Sequence, residues 1–110
     1  MAGMPVKFLT EDVLSKLRPF PELAHLRVRP HGETLVIESG PDDDPIRHAR
    51  LRRQTVHLWT LDVADHRGRW QPTPFRDRLH SVVELLLGQF GWVLEDRLGD
   101  GAEPGRDLGS

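Results

Sequence analysis

The stretch QTVHLWTLDVADHRGRWQPTPFRDRLHSVVELLLGQFGW, residues 54–92, decides the fold. Residues 56–63 hold branched and aromatic side chains at strand density, and 64–68 form a polar turn that ends in Gly68. Thr73 then reads as an N-cap and Pro74 as the first residue of a helix. Along it Leu79, Val82, Val83, Leu86, Leu87 and Phe90 recur at three- and four-residue steps, making a continuous apolar stripe. Gly91 suits a left-handed residue past the helix end, and Trp92-Val93-Leu94 reads as a short closing strand.

Upstream, residues 47–63 contain no breaker, so the simplest reading is one long strand, basic and solvated in its first half and buried in its second. Residues 69–73 pair back at a sheet edge, because Pro72 and Pro74 cannot donate to a ladder. Leu26-Arg27-Val28-Arg29 alternates apolar with basic, Pro30-His31-Gly32 turns the chain and Thr34 to Glu38 returns, which predicts a hairpin with Leu26, Val28, Leu35 and Ile37 facing the core. Ser39 to Pro45 is a loop. Near the start, Thr10 before Glu11-Asp12 predicts a capped short helix carrying Val13, Leu14 and Leu17, which Pro19 ends; Phe20 to Leu23 adds one further helical turn.

The expectation is therefore an α+β domain over residues 1–97. It has a short N-terminal helix, a mainly antiparallel sheet of four or five strands, and one long helix in the C-terminal half packed on one sheet face. Residues 98–110, acidic and glycine-rich with little to bury, are expected to form a disordered tail.

A chain of 110 residues is large enough for one core without staples. The absence of cysteine removes disulfides, zinc–thiolate sites, iron–sulfur clusters and thiol nucleophiles, and makes the cytoplasm the default location. No signal sequence or membrane span is expected. The net charge of −2 conceals an uneven distribution: residues 47–80 carry eight arginines against three acidic residues, and both flanking segments are acidic.

No catalytic, cofactor-binding or metal-binding residue emerges. The six histidines, His25, His31, His48, His57, His66 and His80, lack the spacings that bring two imidazoles to one ion, and read as scattered surface residues. Asp42-Asp43-Asp44 lacks the alternation of a calcium loop, and Ser15, Ser39 and Ser81 lack a nucleophile-elbow context. A catalytic pair of His57 with Asp62 stays open in the sequence, but their strand parity is opposite, so in a regular strand they face away from each other.

Two functional readings remain. The first is a non-enzymatic protein–protein interaction module, pairing with another protein or with itself as a homodimer through the projecting half of the long strand, with Trp70 and Trp92 as anchors. The second is a nucleic-acid or polyanion-binding module built on Arg47, Arg50, Arg52, Arg53, Arg67 and Arg69 beside Trp70. Strand parity puts Arg50 and Arg52 on one face and Arg53 on the other, beside Trp59. The W-Q-P-T-P-F block leading into an amphipathic helix and F-G-W-V-L resembles a small bacterial family, a resemblance that implies no activity.

Overall fold

The computed structural model describes residues 5–94. Its centre is a five-stranded antiparallel sheet in which every strand pairs with its sequence neighbour: β1 (Arg27–His31), β2 (Thr34–Ser39), β3 (Ile46–Thr55), β4 (Leu58–Ala64) and β5 (Trp70–Asp77). Two helices, α1 (Thr10–Leu17) and α2 (Leu79–Gln89), and 3-10 turns at Val6–Leu9, Pro21–Leu23 and Gly91–Leu94 complete it. The α+β class and the five antiparallel strands agree with the sequence reading. No described helix is long and apolar enough to cross a membrane.

Register explains the core. Leu35 stands opposite Leu51 and Leu51 opposite Leu61, while Ile37, Ala49 and Val63 form the next row. All six are buried and point to one side, because strand side chains alternate between faces. Val13 and Leu17 of α1, Val82, Val83 and Leu86 of α2, and Val93 and Leu94 of the last turn belong to the same buried cluster. Both helices therefore cover one face of the sheet and leave the other uncovered. Leu26, Val28, Leu35 and Ile37 lie in this core as their alternation predicts.

Several expectations are corrected. Residues 47–63 are not one strand: Val56 and His57 form a turn between Thr55 and Leu58, which pair across it, so β3 and β4 run antiparallel to each other. The turn contains no glycine, proline or asparagine, so it carries no turn signature.

The long helix expected over residues 74–90 is an eleven-residue helix, Leu79–Gln89, preceded by strand β5. Pro72 and Pro74 sit within that strand, tolerated because β5 is an edge whose outer amides have no ladder partner. Thr73 caps no helix; its hydroxyl donates to the Leu61 carbonyl at 2.8 Å and ties β5 to β4. Gly91 opens a 3-10 turn with φ outside the left-handed region, and Trp92 to Leu94 continue that turn rather than a strand.

Thr10 is likewise a helical residue rather than a cap, its hydroxyl donating back to the Lys7 carbonyl. The tail expected beyond residue 97 lies outside the described residues. Glycine is required at the β4–β5 turn, where Gly68 adopts φ +81° and donates its amide to the Asp65 carbonyl at 2.9 Å.

The central row makes a direct stability test. Leu61 is fully buried between Leu51 and the helices, so Leu61→Ala is expected to lower unfolding free energy by about 2–5 kcal/mol in urea denaturation. A loss under about 1 kcal/mol would show that the row is not the packed centre of the core.

Candidate functional site

The uncovered sheet face is built by the residues that alternate with the core set: Arg27, Arg29 and His31 on β1, Thr34, Val36 and Glu38 on β2, Arg47, Arg50 and Arg52 on β3, and Thr60 and Asp62 on β4. Trp70 reaches it from β5, opposite Ala64. Arginine is thus concentrated where antiparallel register aligns it across three neighbouring strands.

Two buried carboxylates organise these cations. The Glu38 side chain, 3% exposed, accepts hydrogen bonds from Nε of Arg27 at 2.9 Å and from Nε of Arg29 at 2.8 Å. Arg27 also donates to the Gly40 carbonyl at 2.6 Å, and the terminal nitrogens of Arg27 and Arg29 approach the loop carboxylate of Asp42 at 3.6 and 3.5 Å. Asp62, 2% exposed, accepts from Nε of Arg50 at 2.7 Å.

Arg52 Nε lies 2.9 Å from the same Asp62 oxygen, but its N–H is not aimed along a hydrogen-bond direction, so that contact is an ion pair only. Arg50 also lays its guanidinium carbon over the Trp70 ring, 4.6 Å from the centroid. Arg47 has no carboxylate within ion-pair distance among the described residues and lines, with Arg29, Arg50 and Trp70, a shallow depression of about 310 Å³.

Four guanidiniums, of Arg27, Arg29, Arg50 and Arg52, therefore meet three carboxylates, Glu38, Asp62 and Asp42, and Arg47 adds a fifth positive charge to this face. Arg27, Arg29 and Arg50 are held at Nε by the buried acids, which leaves their terminal nitrogens for other partners. Such a surface matches carboxylate or phosphate oxygens, which a guanidinium binds through paired N–H donors.

Of the residues singled out in the sequence, Arg47, Arg50, Arg52 and Trp70 come together here. Arg53 does not: it lies on the core side, paired with Glu33 at 2.7 Å and stacked 5.8 Å from the Trp59 centroid. Arg67 and Arg69 belong to the β4–β5 turn, where Arg69 approaches Asp65 at 3.3 Å. Arg27 and Arg29 join the face without having been singled out. Their alternation with Leu26 and Val28 was the available signal, since it puts both on the face opposite the hairpin's core residues.

The histidines also separate. His48 is not a surface residue but fully buried, at the irregularity where β3 shifts register against β2. Its Nδ1 donates to the Val93 carbonyl at 2.7 Å, so in the neutral ring Nε2 accepts from the Ser39 hydroxyl at 2.8 Å. A serine–histidine contact of this length resembles a nucleophile with its base. Ser39 is only 2% exposed, however, and the pair has no opening to substrate, so it is a structural clamp on the Gly91–Leu94 turn. No group of metal-ligating side chains forms among the described residues. The three tryptophans divide as well: Trp59 is core, Trp70 is half-buried on the arginine face, and Trp92 is exposed.

Comparison with protein-family models, with curated proteins and with solved structures finds no match.

Two measurements test this geometry. Asp62→Ala leaves Arg50 and Arg52 without their shared acid, and because those heads are 27% and 44% exposed, water recovers part of the loss. The expected cost is about 1–3 kcal/mol, against under about 0.5 kcal/mol for Asp42→Asn in the exposed loop; equal effects would remove Asp62 from its organising role.

In the β4–β5 turn, the backbone amides of Arg69 and Arg67 point at Asp65 and pull its carboxyl from 3.8 down to about 2. A carboxylate with a depressed folded-state value stabilises the fold fully above its unfolded value, and that contribution fades as pH falls through the folded one. Carboxyl carbon NMR should show Asp65 titrating near pH 2, with the Arg67 and Arg69 amides moving in step; a midpoint near 4 would contradict the turn geometry.

Proposed function

We propose that the protein is a non-enzymatic binding module whose uncovered sheet face takes an extended acidic segment of another protein. The observation that supports this reading most is the placement of Arg50, held at Nε by Asp62 and covered on one side by Trp70. A cation already fixed in orientation loses little side-chain entropy on meeting a carboxylate, so more of the interaction appears as affinity. Arg29 and Arg47 border the same depression and extend the match along the face.

Neither open edge suits strand addition. β1 carries Pro30, and β5 carries Pro72 and Pro74. β3, whose projecting half was expected to mediate a homodimer, is paired with β2 along Ile46 to Arg52 and with β4 along Ala49 to Thr55. Two copies joined through the arginine face would set like charges against each other, which favours a different, acidic partner over self-association.

Nucleic acid is the weaker fit. Stacking platforms for single strands present successive aromatic rings, whereas this face has Trp70 alone and shares its ring with Arg50. The chain's net charge of −2 points the same way.

The test is fluorescence anisotropy with a labelled oligoglutamate peptide and a labelled oligothymidylate at two salt concentrations. The peptide is expected to bind, more weakly at high salt, and Arg47→Glu is expected to reduce affinity about tenfold because charge reversal at a solvated contact acts through Coulomb energy. Binding of the oligothymidylate without the peptide would transfer the face to nucleic acid; binding of neither would end the proposal.

A further inference from the structure

On the helix-covered side, where α1, the Val56–His57 turn and the start of α2 meet, the surface opens into a cleft of about 410 Å³. Val13, Trp59 and Val83 close its bottom as core residues only 1–2% exposed, and its open apolar surface is Val56 with half-buried Leu9 and Leu79. Val56, an exposed aliphatic side chain, forms one lip.

The rim is basic. Lys16, His57, Arg78 and His80 line it, opposed by the single carboxylate of Asp12. Lys16 is engaged by Glu84 at 2.8 Å. Arg78 is exposed and has no carboxylate within ion-pair distance of its guanidinium among the described residues. The first turn of α2, at the same rim, contains no acidic residue and no side-chain cap.

We propose that this cleft is a binding site for a small amphipathic anion: a carboxylate or sulfonate whose apolar body lies on Val56, Leu9 and Leu79 while its charged end meets Arg78. The volume falls in the range of small-molecule sites, roughly 300–1,000 Å³, which combine an apolar lining with a few convergent polar groups. An apolar surface beside a cationic rim selects for a ligand that carries both characters. A fully polar anion would leave that surface wet, and a neutral apolar body would leave Arg78 without a partner. Arg78 therefore sets the ligand's sign, and Val56 with Leu9 and Leu79 sets its length and shape. This site lies across the sheet from the arginine face and stands whether or not that face binds an acidic segment.

The experiment is a titration of the full chain with sodium octanoate and, separately, with 1-octanol, followed by amide NMR shifts. Octanoate is expected to bind with a Kd below about 1 mM, moving the signals of Lys16, Val56, His57, Leu79 and His80. Octanol should bind at least tenfold more weakly. Arg78→Ala, at an exposed position that leaves the core intact, should weaken octanoate about tenfold and leave octanol unchanged. Val56→Lys should weaken both, by placing a charged head across the lip. Octanoate shifts centred on the arginine face, equal affinity for octanoate and octanol, or no saturation in the millimolar range would each overturn the proposal.

Discussion

The pairing of β3 with β4 is the constraint from which the rest of the molecule follows. Leu51 opposite Leu61 and Arg50 opposite Asp62 are adjacent rungs of one ladder, and they point to opposite sides of the sheet. A slip of one residue would turn the leucines to water and drive two arginines and an aspartate into the helix layer. The hydrophobic row and the charged row therefore enforce the same register from the two faces. Such agreement between independent terms is what separates one native arrangement from its near neighbours.

From that register the packing of both helices can be traced. α1 and α2 touch one another as well as the sheet, and Lys16 reaches Glu84 across the gap, lowering the Glu84 carboxyl from its ordinary value through hydrogen bonding and charge. That surface pair contributes little energy. The apolar stripe of Val82, Val83 and Leu86 on the sheet contributes more, because it removes large side chains from water. Residues of α1, of the β3–β4 turn and of the start of α2 together line the cleft on this side.

Much of this was legible in the residues and some was not, for physical reasons that differ from place to place. The β1–β2 hairpin was readable because alternation and Gly32 act together. The β3–β4 turn was invisible because Val56 and His57 carry no turn chemistry and register alone demands the reversal. Thr73-Pro74 misled in the opposite direction, since a threonine before a proline suits a helix start and an edge strand equally well; only the hydrogen bond to Leu61 distinguishes them. Parity correctly separated Arg53 from Arg50 and Arg52. It also puts Arg27 and Arg29 opposite the hairpin's core residues; what local pattern does not show is that β3 lies on the far side of β2 and brings its arginines onto the same face. His48 reads as a surface residue in the sequence because no local pattern announces the bulge that buries it.

Stability alone does not account for the charged face. Burying Glu38 and Asp62 removes two carboxylates from water, a cost that their arginine partners offset without clear surplus, and well-packed apolar residues of similar volume commonly serve as well or better. What the charges do supply is orientation: each acid fixes the stem of an arginine at Nε and leaves the outer N–H groups in a defined direction. A half-exposed sheet face needs polar residues for solubility, but exposed lysines and glutamates would satisfy that need with no buried acid at all. On the proposed reading, the desolvation cost of holding these guanidiniums still is matched by the acidic segment that they would meet.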